Sequence, residues 1–301
     1  MLFEDSIIEC NELKGDLIAS NKIKVSIARL DKIHPVVSGN KLFKLHYFLK
    51  ESISQGCKPL LTFGGAYSNH LVATAFACKL AGIHCTGVVR GEKPALPSQT
   101  LIDCENYGMK LVYLSRENYH TKNMQAVPGF TSGTYDDYII VPEGGFHPLG
   151  AAGASLILEK LAGFDATHIS TAVGTATTLA GILQANNSTA QIIAVPVLKN
   201  LHDVEERLQY LGCKDLKAQP EIFDGYHFGG YAKKTPELIQ FMNELFAEQG
   251  IPTDFVYTAK MMYAMFDKIK NGYFEAGSRI ICLHTGGLQG NSSLPAGTLV
   301  F

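Results

Sequence analysis

Short apolar, β-branched runs alternate along the chain with longer stretches in which apolar residues recur at helical spacing. Lys24–Leu30 reads as a strand, followed by a Pro/Gly turn and a helix from about Lys41 to Ser54. The apolar stripe of that helix is Leu42, Leu45, Phe48, Leu49 and Ile53. Leu60–Phe63 is a strand ending in Gly64-Gly65, and Asn69–Ala81 is a helix. Cys85–Val89, Lys110–Leu114 and Tyr138–Val141 are further strands. The rhythm continues with strands at Ile169–Val173, Gln191–Val195 and Arg279–Leu283, and with helices after Gly174, at Pro236–Gln249 and at Thr258–Asn271. Parallel strands need a crossover helix to return the chain, so this alternation predicts an α/β protein. Glu92–Gly133 is less regular and richer in Pro, Ser, Asn and Tyr. There is no low-complexity linker and no repeat of fixed period.

The 301 residues are enough for two domains. A formal net charge of -2 and the lack of any Lys/Arg run point away from nucleic acid as a partner. No apolar run is long enough to span a membrane. Glu4, Asp5 and Glu9 stand where a signal peptide would want basic and then apolar residues, so a cytoplasmic protein is expected. The 7 cysteines are scattered without a C-x-x-C pair, which predicts free thiols rather than a disulfide framework or zinc site.

Four strand ends run into loops with chemistry unusual for plain connectors, and in open α/β sheets ligands bind where such loops converge. In Ser38-Gly39-Asn40-Lys41, the lysine sits at the inner edge of the helical stripe, where lost solvation would lower its pKa and free its amine to attack a carbonyl. Taken alone, the same lysine could snorkel to the surface. In Phe63-Gly64-Gly65-Ala66-Tyr67-Ser68-Asn69, Ser68 or Asn69 can cap the next helix. Alternatively, the exposed N–H groups and the Ser68 hydroxyl can bind a carboxylate. Gly174-Thr175-Ala176-Thr177-Thr178 joins a strand to a helix with small and hydroxylic residues, which makes either a phosphate cradle or a structural turn. It is neither a Walker loop nor a dinucleotide fingerprint. In His284-Thr285-Gly286-Gly287, the histidine reads first as a core residue, and no His/Cys spacing predicts a metal. Together the loops describe a cofactor with an aldehyde, a phosphate and a polar ring.

On these residues the chain resembles the 1-aminocyclopropane-1-carboxylate (ACC) deaminase/D-cysteine desulfhydrase family of pyridoxal-phosphate enzymes, which have the tryptophan-synthase-β-like fold (fold type II). The resemblance runs from about Lys24 to Gly287. It rests on Ser38-Gly39-Asn40-Lys41 with Lys44, Gly64-Gly65-x-x-Ser68-Asn69, Pro142-Glu143-Gly144-Gly145 and Val256-Tyr257-Thr258. It implies open parallel sheets with helices on both faces and a large cofactor domain of residues 1–44 and 148–301. A small inserted domain of residues 45–147 would face it across a cleft. The resemblance further implies that Lys41 holds the cofactor aldehyde as a Schiff base and later serves as the base. Lys44 is a nearby cation, Asn69 bonds the phenolic oxygen of the cofactor, and Gly174, Thr175, Ala176, Thr177 and Thr178 hold its phosphate. Ser68 sits by the substrate carboxylate, and Tyr231 and Tyr257 point hydroxyls at the substrate. A homodimer is implied as well.

Two positions bear on the substrate. ACC deaminases typically have a glutamate after the active-site tyrosine, where this chain has Thr258. The last loop reads His-Thr-Gly-Gly, which is the desulfhydrase-like pattern. A hydroxyl such as Thr285 beside the pyridine nitrogen gives a weaker electron sink than a carboxylate, and expelling a thiolate demands less of the sink than opening a cyclopropane. The expectation is therefore β-elimination from a small D-amino acid, D-cysteine first, with ACC deamination as the alternative. A cofactor- or amino-acid-binding protein without turnover is the alternative of another class. It differs in whether Ser68, Tyr231 and Tyr257 converge. The family usually has Gly-Gly where this chain has Ala176-Thr177, and a Cβ there opposes a positive φ.

Overall fold

A computed structural model describes residues 7–121, 134–161, 163, 165–214 and 219–301. Its strands are β1 (Cys10–Leu13), β2 (Lys24–Arg29), β3 (Leu60–Gly64), β4 (Cys85–Arg90), β5 (Lys110–Leu114), β6 (Ile139–Val141), β7 (His168–Val173), β8 (Gln191–Pro196), β9 (Glu221–Ile222) and β10 (Arg279–His284). The helices are α1 (Asp16–Ser20), α2 (Asn40–Ser54), α3 (Asn69–Ala81), α4 (Gln99–Asn106), α5 (Arg116–His120), α6 (Pro148–Lys160), α7 (Thr177–Ala185), α8 (Val204–Tyr210), α9 (Pro236–Gln249) and α10 (Thr258–Lys270).

Among the described residues the strands form a 6-stranded sheet, ordered β1-β2-β10-β7-β8-β9, and a 4-stranded sheet, ordered β5-β4-β3-β6. All pairings are parallel except that of β1 with β2, where Cys10 lies opposite Ala28. The fold is thus the expected α/β arrangement of open parallel sheets. Strands β3, β7, β8 and β10 are buried along nearly their whole length, as expected where helices cover both faces.

Two elements depart from the sequence pattern. Strand β1 has only four residues, Cys-Asn-Glu-Leu, with a single buried position, so it carries no alternation to read. Helix α6 begins Pro-Leu-Gly-Ala-Ala-Gly-Ala and lacks a polar face because it is wedged between α2 and α7. A Cβ on Gly153 would lie 2.1 Å from the Phe43 carbonyl oxygen, and one on Gly181 would lie 2.5 Å from that of Ala151. The three helices therefore touch backbone to backbone, and small residues are what let them do so. Helix α2 continues unbroken past Lys44, so its first turn faces the large-sheet loops while its body packs on α6 and α3.

Candidate active site

The carboxyl ends of β3, β7 and β10, and the turn after β2, open into one cavity of about 260 Å³. Every residue singled out from the sequence as a cofactor or substrate contact lines it: Lys41, Lys44, Ser68, Asn69, Gly174 through Thr178, Tyr231, Tyr257 and Thr285.

The lysine is positioned by backbone. Gly39 has φ +70°, and a Cβ there would lie 2.0 Å from the Thr285 carbonyl oxygen, so the turn after β2 must be glycine for the chain to press against the β10 loop. The Gly39 N–H donates to Leu30 O (2.8 Å) and the Asn40 N–H to Thr285 O (3.2 Å). Asn40 Nδ2 donates to Thr178 Oγ1 (2.8 Å), which ties the start of α2 to that of α7. Lys41 Nζ donates to Asn40 Oδ1 (2.8 Å) and stands 6.0 Å from the centre of the Tyr257 ring. Burial lowers its pKa to about 8, against the opposing pull of the Asp254 carboxylate. Lys44, one turn on, is 5% exposed and donates to Gly144 O (3.2 Å). Burial, and then the charge of Lys41, hold its pKa well below the usual lysine range.

At the start of α3 both readings of the second loop coexist. Ser68 Oγ accepts from the Leu71 N–H (3.3 Å) as the N-cap, and Ser68 also lines the cavity. Asn69 Oδ1 is buried with no hydrogen-bond partner among the described residues. Gly174 faces Tyr257, whose Cε1 would lie 3.1 Å from a Cβ on that glycine. Helix α7 starts without a side-chain cap, which leaves its first N–H groups for an anion in the cavity. The residue before it, Ala176, has φ +63° and ψ -2°, so the left-handed position foreseen from the missing glycine falls there and Thr177 is already helical. Thr175 and Thr177 pair through their hydroxyls (2.9 Å).

Tyr257 precedes α10, beside Tyr231 on a neighbouring loop, with ring centroids 6.3 Å apart in an edge-on arrangement. Burial, then the negative charge that Tyr231 would carry if ionised, push the Tyr257 hydroxyl well above its ordinary pKa, so it stays protonated. Thr258, the substrate discriminator in the sequence, is fully buried in α10 and is not part of the cavity lining. Its Oγ1 has no hydrogen-bond partner among the described residues. His284 is the core residue expected: Nδ1 accepts from the Gly286 N–H (3.2 Å), so Nε2 carries the proton given to Pro252 O (2.7 Å).

Several groups at or beside the site are given no role by the sequence. Asp254 is completely buried and accepts from the N–H groups of Val256 (3.0 Å), Tyr257 (2.7 Å) and Thr258 (2.9 Å). Arg90 and Glu143 line the cavity beside Tyr119, whose hydroxyl donates to Glu143 Oε2 (3.0 Å). Buried His70 also lines it, with Nε2 2.9 Å from Thr62 Oγ1. Among the described residues no group of three or more His, Cys, Asp and Glu side chains could hold a metal ion.

A partly desolvated lysine, an uncapped helix start and the Asn69 amide in one cavity fit pyridoxal phosphate: an amine for its aldehyde, N–H groups for its phosphate and an amide N–H for its ring oxygen. This defines an α/β enzyme of the pyridoxal-phosphate class. Comparison with known proteins agrees, because residues 16–286 match the family described as pyridoxal-phosphate dependent enzyme. The chain belongs to that family and is a pyridoxal-phosphate-dependent enzyme. A protein of Pyrococcus horikoshii named "Putative 1-aminocyclopropane-1-carboxylate deaminase" is 30% identical over 291 residues, 88% of this chain and 85% of that one. A D-cysteine desulfhydrase of Yersinia enterocolitica is 27% identical over 292 residues, 88% of this chain and 86% of the relative. The solved structure of an ACC deaminase homologue superposes with TM-score 0.80 at 26% identity, covering 96% of this chain and 92% of that one.

Proposed function

We propose that the protein eliminates sulfide from D-cysteine. D-Cysteine and water become pyruvate, sulfide and ammonia as the Cα–H and Cβ–S bonds break. When bound, the cofactor supplies the sink that stabilises charge at the α-carbon. Lys41 would hold its aldehyde, Asn69 its ring oxygen, and the Gly174–Thr178 turn its phosphate. Lys44, close behind, has its charged form disfavoured by burial and donates to the Gly144 carbonyl. The Lys41 amine, with a pKa of about 8, is neutral in part at neutral pH and takes the α-proton. Ser68 and the remaining N–H groups at the start of α3 would receive the substrate carboxylate. The Tyr257 hydroxyl, which stays protonated, serves as a donor with Tyr231 beside it.

The observation that carries the choice of D-cysteine is that a hydroxyl, Thr285, lines the cavity where a stronger sink would call for a carboxylate. The Asp254 carboxylate is already engaged by the N–H groups of Val256, Tyr257 and Thr258. That environment favours a weak sink, enough to expel thiolate but poorly suited to opening a cyclopropane. We further take the two sheets as the cores of two bodies, residues 1–44 with 148–301 and residues 45–147, closing on the substrate to exclude water. Among the described residues no helix is long and apolar enough to cross a membrane, and the cysteines there are free. We take the protein to be cytoplasmic and, on the family resemblance alone, a homodimer. The test is to give the cofactor-loaded protein D-cysteine and ACC separately. Sulfide with pyruvate from D-cysteine is expected, whereas 2-oxobutyrate from ACC without sulfide from D-cysteine would reverse the assignment.

A further inference from the structure

Lys260 lies in the first turn of α10, three residues after Tyr257, and its side chain is completely buried. Its Nζ donates to two backbone carbonyls of one loop, His227 O (2.9 Å) and Gly230 O (2.8 Å). That loop is bent in a way that backbone sterics oppose: Phe228, Gly229, Gly230 and Ala232 have φ of 50°, 93°, 117° and 51°. Two of the four carry a Cβ, which meets its own carbonyl in this region, so the bend must be held from outside. The next residue after the clamped Gly230 carbonyl is Tyr231, whose ring stands edge-on to Tyr257 across the cavity.

A buried ammonium needs hydrogen-bond acceptors and a countercharge. The carbonyls are the acceptors, and the field of the buried Asp254 carboxylate supports the charge against the burial that lowers its pKa to about 8. The same carboxylate binds the Tyr257 N–H. One helix start thus carries Tyr257 directly and, through Lys260, grips the loop that carries Tyr231.

We propose that Lys260 is a positioning residue that holds Tyr231 against Tyr257 on the substrate side of the cavity. The proposal rests on the reading that these phenols face substrate. It is tested in the holoenzyme with Lys260→Met and Lys260→Gln, the second keeping a polar donor should the first fail to fold. Loss of charge-assisted hydrogen bonds of this kind is expected to lower kcat with D-cysteine about tenfold to hundredfold, with the visible cofactor absorbance unchanged. In a Tyr231→Phe background the same substitution should cost no more than about twofold further. Hydrogen exchange should quicken in residues 226–233 and stay the same elsewhere. A kcat loss that multiplies in full with that of Tyr231→Phe would overturn the proposal, as would unchanged exchange in the loop. If the wild type does not turn over D-cysteine but the loop loosens in Lys260→Met, the clamp stands and the choice of substrate falls.

Discussion

Replacing Lys41 with methionine is expected to stabilise the cofactor-free protein at neutral pH. In the folded chain burial holds the amine at a pKa of about 8 against 10.5 when exposed, a gap equivalent to about 3 kcal/mol. Below pH 8 the folded protein carries a charged, poorly solvated amine, and the whole of that cost falls on the native state. Between 8 and 10.5 the folded state has released the proton while the unfolded chain still binds it, so wild-type stability rises with pH. Above 10.5 both states are neutral and the cost is gone. Methionine removes the charge and keeps the stem, losing only the hydrogen bond to Asn40. With that loss and partial exposure allowed for, Lys41→Met should gain about 2 kcal/mol at pH 7 and almost nothing at pH 11. Urea unfolding of both apoproteins, followed by circular dichroism because the chain has no tryptophan, measures this directly. A variant less stable at pH 7, or an advantage that does not change with pH, would refute the reasoning.

Three further outcomes follow from the same geometry. The rate at which the apoprotein captures cofactor should rise about tenfold per pH unit below 8 and level off above it, and stopped-flow absorbance that kept climbing toward 10.5 would remove the desolvated amine from the account. Gly39→Ala drives a methyl into the Thr285 carbonyl at positive φ, so it should destabilise by at least about 3 kcal/mol and weaken cofactor retention without touching a lysine. Thermal unfolding with and without cofactor checks both effects. Tyr257→Phe should lower turnover by about a hundredfold while leaving the bound-cofactor spectrum intact, and wild-type turnover would take the hydroxyl out of the mechanism.

The parts of the site legible in the sequence are those where local backbone chemistry advertises itself. Gly39-Asn40 marks the turn that aims Lys41, Ser68-Asn69 marks a helix start, and the Ala176-Thr177 departure located a strained residue that has φ +63°. The strand ends were visible because buried parallel strands are near-continuous apolar runs. Asp254 and Arg90 were not, since a single acid or base in a loop or at a strand end looks like any solvated charge. Lys260 was hidden more deeply: within an amphipathic helix a lysine reads as surface, and only the folded 227–230 loop gives it partners. Helix α6 escaped because its residues answer to two neighbouring helices instead of one core face. Thr258 shows the opposite failure, a position with meaning in sequence whose side chain is buried in α10 outside the cavity lining.

The central claim is that Lys41, among all the lysines of the chain, is the residue bonded to the cofactor. Reducing the cofactor-loaded protein with borohydride, digesting it and locating the pyridoxyl adduct by mass spectrometry tests this most directly. The account predicts a single adduct on Lys41 that disappears in Lys41→Ala together with the visible absorbance. An adduct on Lys44 or another lysine, or an undiminished spectrum in Lys41→Ala, would contradict it.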